Sequence, residues 1–273
     1  MAKTAISTDV NTDTALVVPA NTFIGLQPDN EAREAMLANM MPGEGFEESD
    51  LVRVKTPAGG GTMWEYETLG NVVNTKTIYG VLAAFTQRGT LWPSEEPSES
   101  MPYLISDNLI TARKVGDKIG DLDPAVLDRM LIKEGPNAGL YDWRGTEEGG
   151  PNIYNDYGSS SKGRGKRCKE SRVMFILTPD SAFPLVVRAQ PGSLRNIKPF
   201  IKMLPVPHFR AVIELSLFKE TNAGGQPFSQ IIPRYIGDIG REAGKMVMET
   251  YTTPLKATAV RMSSTASDSG LGE

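Results

Sequence analysis

The sequence predicts a mixed α+β fold in which strands predominate, and the order of elements in its C-terminal half is the main observation. The apolar runs 172–178 and 183–189, separated by a Pro-Asp-Ser turn, are typical of two hairpin strands. A helix follows, and the runs 209–218 and 228–236 predict two more strands. With a hairpin around Trp64 to complete it, this order predicts an OB-like five-stranded barrel with long loop insertions and flanking helices. Other small α+β sheets share the same order, so that alternative stays open.

Capping residues and apolar periodicity predict four helices. Segment 29–41 begins with acidic residues, which favour the positive end of a helix dipole, and stops at Pro-Gly. Segment 121–134 has Asp123 as its expected N-cap, followed by proline. Ser193 is expected to cap a third helix, and the last helix is expected at 238–251.

The N-terminal strands are harder to predict because the apolar runs are short. Segments 51–55 and 62–67 flank a Gly-rich turn and predict a hairpin. Segment 75–85 fits a helical stripe or a strand, and its β-branched start favours a strand.

Composition and turn signals predict one domain between two loose ends. The expected domain is 16–252, with 1–15 as a flexible arm and 253–273 as a flexible tail. We expect an acidic, loop-rich insertion at 93–165 and a basic segment at 159–219.

Scarce cysteine and histidine exclude several classes of site. A single cysteine, Cys168, rules out an internal disulfide, and with His208 as the one histidine it cannot supply an ordinary zinc site. A Ser-His or Cys-His hydrolase is disfavoured for the same reason. Gly59-Gly60-Gly61 lacks the Lys-Ser or Lys-Thr of a P-loop, and the aspartates match no metal-dependent nuclease pattern. We therefore expect no enzymatic activity, no metal and no cofactor.

Charge is distributed very unevenly in a chain of net charge −4. Residues 1–158 carry 12 basic and 24 acidic side chains, whereas residues 159–219 carry 12 basic and 3 acidic ones, a net charge of +9. Within the latter, 159–172 alone has a net charge of +5. Such a cluster favours contact with a polyanion, because neutralised phosphates release condensed counterions. A solvated, flexible loop is the competing interpretation.

Basic and aromatic side chains together predict a single-stranded nucleic-acid site. Glycines at 163 and 165 favour a loop that follows an irregular strand rather than a rigid helix in a duplex groove. Aromatic faces on which bases stack complete such a site, although core packing competes for each ring. The aromatic candidates are Trp64, Tyr66, Trp92, Trp143, Tyr154 and Tyr157. The basic candidates are Lys162, Arg164, Lys166, Arg167, Lys169, Arg172, Arg188, Arg195 and Lys198.

Individual residues also carry a family resemblance. They are Trp64, Gly80, Phe85, Trp92-Pro93, Ser106-Asp107, Asn155, Gly158-Ser159, Cys168, Lys169, Arg172, Pro184, Leu194 and Thr221. Over roughly residues 60 to 235 the chain resembles a family of uncharacterised phage and mobile-element proteins that is similar to OB-fold single-stranded DNA-binding proteins. Members carry paired cysteines that look like a zinc knuckle. This chain has Gly149-Gly150-Pro151-Asn152 near that place, so metal binding is not carried over.

These observations predict a sequence-independent single-stranded DNA-binding protein that acts in phage or mobile-element replication or recombination. A virion or scaffold structural protein is the alternative. RNA as a ligand and assembly of protomers along the strand stay open. No apolar run approaches a membrane span and the N-terminus lacks a secretory signal, so we expect the protein in the cytoplasm of a bacterial host, away from the membrane. We also expect the basic loop to become ordered only when a strand binds.

Overall fold

The computed structural model describes residues 16–27, 31–39, 51–68, 71–95, 101–145, 151–161, 165–222 and 224–256. Four α-helices lie in these ranges: α1 Glu31–Asn39, α2 Pro124–Met130, α3 Pro191–Lys202 and α4 Arg241–Val247, which continues into a π-helical turn at Met248–Thr252. The first six strands are β1 Leu16–Val17, β2 Arg53–Val54, β3 Trp64–Thr68, β4 Asn71–Thr75, β5 Thr77–Leu91 and β6 Leu104–Ser106. The others are β7 Thr111–Lys114, β8 Tyr141–Asp142, β9 Lys169–Leu177, β10 Leu185–Ala189, β11 Ala211–Thr221 and β12 Pro227–Asp238. The chain is thus a mixed α+β protein with strands predominating, as the sequence predicts.

Strand β5 is the centre of the main sheet. One of its edges pairs with β9 from Val81 to Thr90, and the other pairs first with β11 and then with β6. The order β1-β12-β11-β5-β6-β7-β8 continues on one side, and β9, β10 and β2 on the other. This ten-stranded sheet is open, so the described strands do not confirm the OB-like barrel.

Two hydrophobic layers sandwich the sheet. On the face that we call the α3 face, Leu82 and Met174 pack against Leu194 and Ile197 of α3. This face continues into a third cluster, where Trp143 and Tyr154 lie with α2 against the ends of β5 and β6. On the opposite face, the α4 face, Val81 and Phe175 pack against Val247 and Tyr251. Because side chains alternate along a strand, every strand residue can be assigned to one of these faces.

Several local predictions are confirmed. Strands β9 and β10 form the expected antiparallel hairpin, and β11 pairs antiparallel with β12. Segment 75–85 is extended, as expected: Thr75 ends β4, and from Thr77 the chain forms β5, which continues to Leu91. Helix α2 is shorter than expected, but Asp123 caps it: its Oδ1 accepts from the Ala125 N–H at 2.8 Å.

The predicted hairpin of 51–55 with 62–67 is wrong. Strand β2 pairs parallel with β10, and β3 pairs antiparallel with β4. A single bridge from Lys55 to Glu65 joins the two predicted partners. The connection from β3 to β4 is only two residues long, so closing it costs less entropy than closing the longer Gly-rich turn.

The predicted cap of α3 is also wrong. Gln190 is the N-cap, because Pro191 occupies the first helical position and starts the helix before Ser193. The Ser193 hydroxyl instead accepts from the Ile231 N–H of β12 at 3.0 Å.

The remaining expectations are met in part or lie outside the described residues. Helix α1 falls inside 29–41, and α4 starts three residues later than predicted. The flexible arm 1–15 and the tail beyond 256 lie outside the described ranges. No helix within those ranges is long and apolar enough to cross a membrane.

Candidate nucleic-acid interface

Arg167 is the buried anchor of the basic segment. Its side chain is 7% exposed, and Nη2 donates to the carbonyl oxygens of Trp92 at 3.3 Å and Pro93 at 3.0 Å. The same guanidinium pairs with the Asp121 carboxylate, and its Nε lies 3.7 Å from Oε1 of Glu95. Its charge is therefore neutralised within the protein, and Arg167 fixes the loop rather than offering a cation to a ligand.

Glu95 binds the N-terminal end of the basic loop. Its carboxylate accepts from the Ser160 and Ser161 hydroxyls, both at 2.9 Å, and from the Ser161 N–H at 3.2 Å. Burial favours the neutral acid, but these hydrogen bonds and the Lys169 charge outweigh it and lower the pKa of Glu95. The Ser159 hydroxyl accepts from the Arg167 N–H at 2.9 Å. The described part of the loop is thus held by hydrogen bonds within the protein, and Lys162 and Arg164 lie outside that part. Ordering of the loop by a bound strand stays a prediction.

Three of the predicted stacking rings are covered by protein. Trp64 is fully buried and its Nε1 donates to the Leu215 carbonyl at 3.2 Å. Trp143 is 1% exposed and packs so closely on Gly89 that a Cβ there would collide with its ring. Tyr154 is buried, and its hydroxyl oxygen accepts from the Asp123 N–H at 2.6 Å. These three rings have no free face for a base, because they complete the hydrophobic core.

The other three rings are more accessible. Tyr66 is half-buried, and burial raises its pKa, with Asp180 adding to the effect. Trp92 is also half-buried. Tyr157 is 84% exposed beside the basic loop, so its ring can stack on a base without any rearrangement.

Other predicted basic residues have partners within the protein. Lys198 Nζ lies 2.6 Å from Oε2 of Glu170, and Arg195 pairs with Glu220. The Arg172 guanidinium lies 6.0 Å from the centroid of the Phe85 ring, and burial lowers its pKa. Lys166 Nζ donates to Oδ1 of Asn155 at 3.1 Å but keeps two further donor sites.

The strand register places five cations on the α4 face, beyond the part of that face that packs against α4. Arg188 lies beside Val173, and Arg88 lies beside Ser171. In the next row of the sheet, Lys169 of β9 pairs with Thr90 of β5. Thr90 pairs on its other side with Ile105 of β6, and Ile105 pairs with Arg113 of β7. The fifth cation lies on β2, beside Val186. We call Arg53, Arg88, Arg113, Lys169 and Arg188 the cationic sheet face.

The cationic sheet face is broad. Asp107 lies on the same surface, with its Oδ1 3.2 Å from Arg88 Nε and its Oδ2 3.9 Å from Arg113 Nε, and the charge of Lys169 acts on the Glu95 carboxylate. The surface crosses six neighbouring strands, from β2 to β7, a width of about 24 Å at the usual strand spacing. Chemically, it can contact several phosphates at once.

Sequence reasoning found Lys169 and Arg188 but missed Arg53, Arg88 and Arg113. Arg53 and Arg88 are single cations in their strands and Arg113 has only Lys114 beside it, so no long charge run reveals them. They come together through the parallel pairing of β2 with β10 and the antiparallel pairing of β5 with β9, which connect distant segments.

No match to this chain was found among protein-family models, curated proteins or solved structures. Within the described ranges, no group of three or more His, Cys, Asp or Glu side chains is placed to hold a metal ion.

Proposed function

We propose that this protein binds single-stranded nucleic acid across the cationic sheet face. The observation that carries the proposal is the register of β2, β10, β9, β5, β6 and β7, which puts five cations on one surface of an overall acidic chain. Binding to phosphates there would release counterions and would not depend on base sequence.

The shape of the surface favours single strands over duplexes. A duplex reader inserts a helix or a ribbon into a groove, whereas single-strand binders lay the strand over a sheet with aromatic faces beside it. Tyr157 is an exposed ring next to the basic loop, and Lys166 donates to Asn155, two residues before Tyr157. DNA is the proposed ligand, and the resemblance to phage and mobile-element proteins supports a role in replication or recombination in the host cytoplasm, with protomers assembling along the strand.

The proposal is tested by fluorescence anisotropy of a labelled oligonucleotide. Tryptophan quenching is a poor readout because Trp64 and Trp143 are buried. We expect micromolar or tighter binding to single-stranded DNA, weaker binding to duplex and little dependence on base sequence. Absent or salt-insensitive binding would contradict the proposal and leave the virion or scaffold role as the better one.

A matched pair of variants locates the site. Arg113→Gln removes a cation of the cationic sheet face, and we expect it to weaken binding to all sequences alike, several-fold at low salt. Arg129→Gln is the control, since Arg129 is an exposed residue of α2 outside that surface. Equal affinities of the two variants would remove the sheet face from the site.

A further inference from the structure

An apolar groove of about 370 Å³ lies between the C-terminal half of α3 and the outer edge of β12. Its lining includes Pro199, Phe200, Met203 and Leu204 on the side of the helix, and Pro233 and Tyr235 on the side of the strand. Met203 is 63% exposed. Covering these side chains would remove apolar surface from water, so the groove suits a segment with an apolar face.

Strand β1 directs the N-terminal segment of the chain towards this groove. It runs parallel to β12, and Leu16 lies beside Gly237. In a parallel pair both chains run the same way, so the residues before Leu16 lead back along β12 from Gly237. Tyr235 and Pro233, which line the groove, precede Gly237 by two and four residues.

The N-terminal segment is long enough to reach along the groove. Fifteen residues of the sequence precede Leu16. A strand rises roughly 3.3 Å per residue, so about four of these residues, or roughly 13 Å, extend from Gly237 to Pro233. The residues before those four can then pass the side chains of α3.

The N-terminal segment also alternates with the period of a strand. From position 4 to position 14 every second residue is β-branched, namely Thr4, Ile6, Thr8, Val10, Thr12 and Thr14. The residues between them are small or polar, and include Asp9 and Asp13. β-branched residues favour strands, and a period of two puts all six on one face. An extended segment therefore has one face with Ile6 and Val10 to bury and one polar face for water.

Backbone pairing with β12 cannot hold this segment along its whole length. The N–H and C=O of Ile231 are bonded to the side chains of Ser193 and Asn196, and Pro233 has no N–H. A regular ladder therefore ends before Ile231. Beyond that point, apolar contact within the groove is the interaction that can hold the segment.

We infer that the groove is the docking site of residues 4–14 of the same protomer, with Ile6 and Val10 packed against its apolar side chains. A tethered segment has an effective concentration on the order of millimolar, so it competes well against the same segment of a second copy. This placement differs from the flexible arm that the composition predicts for 1–15, and it does not rest on the proposed function.

Hydrogen exchange of the full chain tests the docking. We expect the amides of 8–14 to exchange about tenfold more slowly than those of an unstructured peptide. Met203→Glu puts a charge into the groove and should return these amides to the unstructured rate. The matched control is Met248→Glu, because Met203 and Met248 are the exposed C-cap residues of α3 and α4, so both variants place an acid at a helix C-terminus.

Val10→Asp is the reciprocal variant, and we expect the same loss of protection from it. It also keeps the test decisive if the amides of β9 show that Met203→Glu does not fold. Unstructured rates for 8–14 in the wild type would overturn the inference. Equal protection in Met203→Glu and Met248→Glu would do the same, because the segment would then lie elsewhere. Protection that does not change with protein concentration supports docking within one protomer, and protection that falls on dilution would assign the groove to a second copy instead.

Discussion

Glu95 shows how one residue connects the acidic part of the chain to the basic loop. Its carboxylate receives three hydrogen bonds from Ser160 and Ser161 while its side chain is only 17% exposed. Hydrogen bonds to a charged group are worth roughly 1.5 to 3 kcal/mol each in favourable cases, more than most surface ion pairs. The loop conformation therefore depends on the charge of this one carboxylate.

Glu95→Gln is expected to lower the free energy of unfolding by about 1 to 2 kcal/mol at pH 7, because the amide accepts the serine hydrogen bonds less well. The folded protein lowers the pKa of Glu95 below its usual value of 4.5. The stabilisation is thus present above that value and is lost as the pH falls through the lowered pKa. Urea unfolding of wild type and variant at pH 7 and about pH 3 should show the difference shrinking. A difference that stays constant with pH would exclude this role.

Arg167 illustrates why residue type alone misassigns a site. In the sequence it is one cation among six in a basic run, and the run predicts a phosphate contact. In the fold it satisfies two carbonyl oxygens and two carboxylates. Those partners, at 92–95 and at 121, are more than 45 positions away in the chain, so local sequence could not reveal them.

At the scale of elements, helix α3 covers the outer edge of β12. The Ser193 hydroxyl accepts from the Ile231 N–H, and the Asn196 amide donates to the Ile231 carbonyl at 3.0 Å. Two residues further along the same edge, Pro233 has no N–H to offer. An edge strand blocked in this way is protected from pairing with another chain.

Ser193→Ala is expected to destabilise the protein by about 1 to 3 kcal/mol, because it leaves a buried N–H without a partner. The diagnostic readout is hydrogen exchange, in which the Ile231 amide should exchange faster than in the wild type. If Ser193 acted as a helix cap, the amides in the first turn of α3 would respond instead.

Whether the sequence predicts an element correctly depends on how far apart along the chain its contacting residues are. The β9–β10 hairpin and the Asp123 cap of α2 are correctly predicted because neighbouring residues determine them. The partners of β2 and β3 and the role of Ser193 are not, because they depend on strands distant in sequence. The same limit applies to the site: the basic loop is visible as a charge run, whereas the cationic sheet face exists only once the register is known.

At the scale of the whole molecule, charge is separated rather than balanced. The chain has a net charge of −4, yet the strand register places five cations on one face. A net negative protein gains little long-range attraction for a nucleic acid, so binding has to come from short-range phosphate contacts. Salt lowers the binding constant of such contacts, because each phosphate contact releases counterions when it forms.

The number of phosphates that the surface contacts can therefore be read from the salt dependence. For single strands the slope of log K against log salt is roughly −0.7 for each neutralised phosphate, so five contacts predict a slope of about −3.5. Anisotropy titrations at several salt concentrations provide the value. Arg113→Gln removes one of these contacts, so it should reduce the magnitude of the slope by about 0.7. A wild-type slope near −1 would mean that most of these cations remain paired within the protein when the strand is bound, and the cationic sheet face would then be a structural feature rather than an interface.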